Sequence, residues 1–201
     1  MIRMVGAAGD AAPRINHPPS DEFPGRDRSI QMTAFHTLEV LMATDGFTTC
    51  LWFDNEAEEA AHYYVSIFKN SSIGRIARYP EEAPRPAGTV MTVEFTANGQ
   101  KFFALNGGPE FKFNEAISFV IYCENQEEID YYWTKLTENG GEPGPCGWLK
   151  DKYGVSWQVT PERLDDMVSD PDPAKAQRAM TAMLSMGKLD IAALEKAYAG
   201  E

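Results

Sequence analysis

The chain has 201 residues, 43% of them hydrophobic and 11% aromatic, enough to build a packed core. Eighteen Lys and Arg stand against thirty Asp and Glu, a formal charge of −12. That balance excludes nucleic acid and anionic membranes as natural partners, because phosphate contacts need clustered cations. No apolar run approaches the roughly 20 residues of a membrane helix. Three widely spaced cysteines, Cys50, Cys123 and Cys146, make neither a disulfide framework nor a metal knuckle, so a reducing cytoplasm is expected.

Residues 1–47 read as a flexible leader. They hold Pro13, Pro18, Pro19 and Pro24 and lack the cationic start and apolar stretch of a signal peptide. A weak helix is expected around Ala34 to Met42, and translation starting at Met42 is an equally good account of the segment. His17 and His36 fall there and are set aside as functional candidates.

From Thr48 a unit appears twice. Thr48 to Phe53 is a strand-like run followed by Asp54-Asn55-Glu56-Ala57-Glu58; Ser118 to Cys123 is followed by Glu124-Asn125-Gln126-Glu127-Glu128. Each Asn has a Glu three residues on, the arrangement of a capping box at a helix start. Helical spacing follows both, with Ala57, Ala60, Ala61, Tyr64 and Phe68 in the first copy and Ile129, Tyr132, Trp133 and Leu136 in the second. Asn70-Ser71-Ser72 and Asn139-Gly140-Gly141 stop these helices. Three strands are expected after each. The first set is Ile73 to Tyr79, Thr89 to Ala97 and Gln100 to Asn106, with a two-residue turn at Asn98-Gly99. The second is a short stretch near Glu142, then Gly147 to Lys152 and Val155 to Thr160, with Tyr153-Gly154 in the turn. Beyond Pro161 the pattern is helical. Asp172-Pro173 caps one helix whose face is Ala176, Met180, Met183 and Leu184. Gly187 breaks it, and Ile191, Leu194 and Tyr198 form a last short one.

The expected fold is therefore α+β: two βαβββ units (48–109 and 110–160) forming a rolled mixed sheet with a central cleft, plus C-terminal helices over 161–199. This plan resembles the vicinal oxygen chelate superfamily of glyoxalases, extradiol dioxygenases and bleomycin-resistance proteins. Several stretches are similar to its PhnB-like branch, often labelled 3-demethylubiquinone 3-methyltransferase. They are Cys50-Leu51-Trp52-Phe53-Asp54 before Glu58-Glu59-Ala60-Ala61, Phe103 to Pro109, Phe111 to Phe119, Cys146 to Val159, and the tail from Ala179-Met180 to Leu194. The resemblance covers about Phe47 to Ala199 and implies the fold, a cleft and a homodimer.

Metal-dependent members of the superfamily resemble one another in four His, Gln or Glu ligands from the first and last strands of the two units. Alternation puts Leu51, Phe53, Phe119, Ile121 and Cys123 under the helices. The cleft face then carries Thr48, Cys50 and Trp52 in one copy and Ser118, Val120 and Tyr122 in the other. Aligning Gly99 with Gly154 sets Phe103 against Gln158. The four corners read Thr48, Phe103, Ser118 and Gln158, of which only Gln158 is a ligand of the expected kind. No metal and no cofactor are expected.

Other chemistry is equally thin. Neither Gly107-Gly108 nor Gly140-Gly141 opens a helix after a parallel strand, as an S-adenosylmethionine site of the usual type requires. No nucleophile elbow, P-loop or zinc-protease helix occurs. His62 and Glu94 read as solvated side chains and Cys50 as an inert thiol. Asn106 reads as structural at a turn, Lys150 as a solvated strand lysine, and Trp157 as core. The candidate ligand-binding cleft is Thr48, Cys50, Trp52, Phe103, Ser118, Tyr122, Trp148 and Gln158, an aromatic surface with sparse polar groups suited to a small planar molecule. Two other functions stay open: a divalent-metal lyase or dioxygenase using Gln158, and a structural or regulatory dimer whose cleft is filled by its own side chains.

Overall fold

The computed structural model describes residues 47–201, so the leader, its weak helix, Met42, His17 and His36 lie outside the described residues. In the first unit, β1 (Thr49–Phe53) leads into α1 (Ala57–Ile67), followed by β2 (Ser72–Arg78), β3 (Val90–Ala97) and β4 (Gln100–Asn106). The second repeats the order with β5 (Ser118–Cys123), α2 (Gln126–Thr137), β6 (Glu142–Pro143), β7 (Trp148–Lys150) and β8 (Ser156–Pro161). Three helices close the chain: α3 (Leu164–Val168), α4 (Pro173–Leu184) and α5 (Ile191–Ala199). The architecture is α+β.

Each unit makes its own mixed four-stranded sheet, ordered β1-β4-β3-β2 and β5-β8-β7-β6. The first and last strands of each unit pair in parallel, and the rest are antiparallel. The β3–β4 turn is the expected Asn98-Gly99, both at positive φ (50° and 79°), which matches the twist of the flanking strands.

Burial follows the alternation. Leu51, Phe53, Ile121 and Cys123 are buried under the helices, while Cys50, Val120 and Tyr122 on the opposite face are exposed. The helices bury their expected stripes, from Ala57 to Phe68 and from Ile129 to Leu136, with Trp133 packed at the margin. Burying each of the larger side chains contributes about 1.5–3 kcal/mol.

One continuous core joins the units. Tyr64 of α1 lies 5.7 Å from Trp157 of β8, Phe68 stacks on Trp157 at 5.2 Å, and Phe102 meets Phe119 edge-on at 5.3 Å. Tyr63 and Tyr131 donate hydroxyl hydrogens across the helix pair, to the carbonyls of Lys135 and Ile67 (both 2.9 Å).

Two expectations are corrected. Asn125 caps α2 by accepting from Glu128 N (3.0 Å), but Asn55 caps nothing. Helix α1 begins one residue later, with Glu56 at the cap position and no side-chain cap from it. Its first free N–H, that of Ala57, donates instead to Asn106 Oδ1 (2.8 Å) at the end of β4, a partner 49 residues away. The α4 face is also displaced. Ala179 is the buried residue and Ala182, Met183 and Met186 pack beside it, whereas Leu184 is 61% exposed. The C-terminal helices bury this face against one another, around Leu164, Met167, Leu189 and Leu194, so the contact geometry of α5 decides the face.

Candidate functional site

The open faces of the two sheets, opposite the helices, carry the candidate residues. Register fixes their equivalence. Cys50 sits opposite Phe103 and Val120 opposite Gln158, so Phe103 and Gln158 occupy matching positions in the two units.

On the first sheet lies a hollow of about 450 Å³. Thr48 and Phe103 line it with Ser72, Gly74, Glu94 and Thr96. Phe102 and Phe103 of β4 and Phe95 of β3 give its aromatic wall, and polar groups come from β2, β3, the residue before β1 and Lys101 of β4. Glu94 is paired with Arg75 (2.6 Å), and both are substantially exposed, so the pair contributes at most about 1 kcal/mol to stability.

Trp52 shares the open-face parity but is covered. Its Nε1 donates to Gly108 O (2.8 Å), and its ring meets Phe111 edge-on at 5.0 Å. Gly107 lies so close that a Cβ there would stand 2.2 Å from the indole. Cys50 is exposed, and partial burial pushes its thiol above the ordinary value. Cys123 is buried and its thiol is pushed up to about 12, by desolvation first and then by the charges of Glu128 and Glu162.

On the second sheet Gln158 Nε2 donates to Ser118 Oγ (2.9 Å), so these two corners bind each other. Tyr122 is 53% exposed and its hydroxyl points toward Asp165, at 3.4 Å. Trp148 lines a second, smaller hollow with Lys150 and Ser156. Lys150 is ion-paired with Glu115 (2.5 Å), which holds the ammonium above its ordinary value and the carboxylate below its own.

These positions do not fit a four-donor site for a divalent ion. Phe103 carries no donor atom, Thr48 and Ser118 bring only hydroxyls, and Gln158 alone offers a carbonyl oxygen, its amide nitrogen donating to Ser118. Among the described residues, no group of three or more His, Cys, Asp or Glu side chains gathers. No described helix is long and apolar enough to cross a membrane. The glycine pairs also stand away from any strand-to-helix turn. Gly107 and Gly108 follow β4 into irregular backbone, and Gly140 and Gly141 follow the end of α2.

Sequence reasoning assigned no role to Asp151. It sits in the β7–β8 turn at 2% exposure and accepts four hydrogen bonds. Tyr64 Oη and Trp157 Nε1 donate to one oxygen (both 2.8 Å); the N–H groups of Tyr153 and Val155 donate to the other (2.9 and 3.1 Å). Burial raises its carboxyl above the ordinary value, and the four donors oppose that rise. A satisfied buried carboxylate that fastens α1 to β8 is a structural pin.

Residues 45–160 match the family model described as 3-demethylubiquinone-9 3-methyltransferase. The PhnB protein of Bacillus cereus is 41% identical over 58% of this chain and 98% of its own, with a TM-score of 0.52. The chain belongs to this PhnB-like family of the vicinal oxygen chelate superfamily. A protein from Staphylococcus aureus is 30% identical over 57% of this chain and 94% of its own, with a TM-score of 0.26. The protein PA1353 of Pseudomonas aeruginosa is 18% identical over 58% and 96%, with a TM-score of 0.48. Among curated proteins none matches. Within the PhnB-like match lie both units up to the end of β8 except its last residue, so the open faces fall inside it and α3 to α5 fall outside.

Proposed function

We propose that this PhnB-like protein binds a small planar or aromatic molecule on its open sheet faces, without a metal and as a homodimer. The observation that carries the reading is the 450 Å³ hollow with an aromatic wall at Phe103 and polar groups at Thr48, Ser72 and Thr96. That size and composition suit one small ligand held by apolar contact and a few directing hydrogen bonds. On this reading the cleft extends over Cys50, Ser118, Tyr122, Trp148 and Gln158, while Trp52 lies covered by Gly107, Gly108 and Phe111. The dimer is supported by exposed apolar side chains on the second sheet's open face, Val120 (42%) and Tyr122 (53%), with Ile117 (74%) just before β5. The corner chemistry supports a metal-free site. The methyl-transfer reaction in the family description finds no glycine-rich strand-to-helix turn among the described residues.

The deciding experiment is metal content by mass spectrometry after loading with Ni, Mn, Fe(II) and Zn and desalting, followed by a thermal-shift screen of aromatic compounds. The expected outcome is no retained ion and at least one compound that raises the melting temperature. An ion retained at near one per chain, and released by Gln158→Ala, sinks the reading in favour of a metalloenzyme. No compound raising the melting temperature sinks the binding role in favour of a structural or regulatory dimer.

A further inference from the structure

The second sheet's open face holds a polar atom that its own fold leaves unused. Ser156 is 1% exposed, and its Oγ is a buried side-chain polar atom without a hydrogen-bond partner among the described residues. An unsatisfied buried hydroxyl costs about 1–3 kcal/mol, so such an atom needs an explanation.

Its position supplies one. Register lays Ser118, Ser156, Lys150 and Glu142 side by side across four strands, with Val120, Gln158 and Trp148 in the row beyond. Ser156 therefore shares the open face with Trp148, and both line the same hollow of about 190 Å³. Pro143, Pro145 and the Trp148 indole offer flat apolar surface, while Glu115, Glu142 and Lys150 stand at its polar side. The charges decide what enters. Lys150 is already neutralised by Glu115 at 2.5 Å, and Glu142 adds a second carboxylate, so an anion meets repulsion. A neutral ligand meets none. The Ser156 hydroxyl, with no partner among the described residues, can donate to a carbonyl oxygen on such a ligand.

We propose that this hollow binds a neutral planar ring bearing a carbonyl group, with the ring against Trp148 and the prolines and the carbonyl oxygen accepting from Ser156 Oγ. This deepens the reading above, on which it rests, by giving the second sheet's part of the cleft a ligand class and an anchor. Aromatic contact supplies the apolar part of the affinity, and the hydrogen bond sets the orientation.

Benzamide, benzoate and toluene are three probes of one ring size that separate these contributions. Their binding is followed by titration calorimetry and ligand-observed NMR on the full chain, on Ser156→Ala and on Trp148→Leu. Benzamide is expected to bind best. Ser156→Ala should weaken it by about tenfold, the loss of one hydrogen bond of roughly 1.4 kcal/mol, and leave toluene unchanged. Trp148→Leu should weaken both. Ser156→Ala should also melt no lower than the parent, since it removes an unsatisfied atom. If benzamide and toluene bind alike and Ser156→Ala changes neither, this inference fails while the broader reading stands. Preference for benzoate, or a lower melting temperature for Ser156→Ala, also overturns it. If none of the three binds to any form, this inference fails, and the broader reading stands or falls on the wider thermal-shift screen.

Discussion

Asp151 makes a measurable argument at the scale of one residue. Its four donors come from α1, β8 and its own turn, so removing the acceptor strands Tyr64 Oη, Trp157 Nε1 and two N–H groups in the core. Asp151→Ala is expected to cost on the order of 3 kcal/mol in urea unfolding, because four neutral donors lose their acceptor. The pH dependence has a definite sign. The carboxyl's folded value lies above the unfolded one, near 3.9, so the native state binds the proton more tightly. That contribution is fully present below the unfolded value and is lost as pH rises through the raised folded value. Relative to Asp151→Asn, which cannot titrate, the parent should therefore lose stability as pH climbs through that window. A flat difference between the two across it contradicts the assignment. Gly107 offers a second test. A methyl group there meets the Trp52 indole at 2.2 Å, so Gly107→Ala should cost about 1–3 kcal/mol by overpacking and shift the tryptophan fluorescence.

At the scale of elements, the two helix starts discriminate local from long-range capping. Asn125→Ala removes the bond to Glu128 N and should cost about 1 kcal/mol. Asn55→Ala touches no cap and should be near neutral in the same unfolding experiment. Asn106→Ala should exceed both, because its amide ties the α1 start to β4 and also donates to Val90 O (3.0 Å), where it is 5% exposed. The C-terminal helices have their own small core, tied to the second unit by Gln126. Its amide accepts from Ile191 N (2.9 Å) and donates to Leu189 O (3.1 Å). Leu194→Ala should cost about 2–5 kcal/mol and expose α4 and α5 to protease before the sheets unfold. Cleavage spread evenly over the chain contradicts a separate unit.

At the scale of the whole molecule, the proposed homodimer has to overcome a charge of −12 on each copy. Association through the apolar open face should therefore strengthen with salt, as screening removes the repulsion. Val120→Asp should abolish it. Sedimentation at low and high ionic strength measures both, and a monomer under all conditions refutes the assembly. Much of the fold was legible in the chain because it rests on local rules. Strand alternation, helical spacing, the Asn98-Gly99 turn and the repeated βαβββ order each depend on neighbours a few residues apart, and the PhnB-like motifs run through them. The same alternation set Thr48 and Ser118 on the open faces, aligning Gly99 with Gly154 set Phe103 against Gln158, and parity alone would have added Ser156 beside Gln158. The burial of Ser156, the covering of Trp52 by Gly107 and Phe111, the capping of α1 by Asn106 and the Asp151 pin were beyond reach. Each joins residues distant in the chain, and only tertiary packing decides which polar atoms find partners and which, like Ser156 Oγ, find none among the described residues.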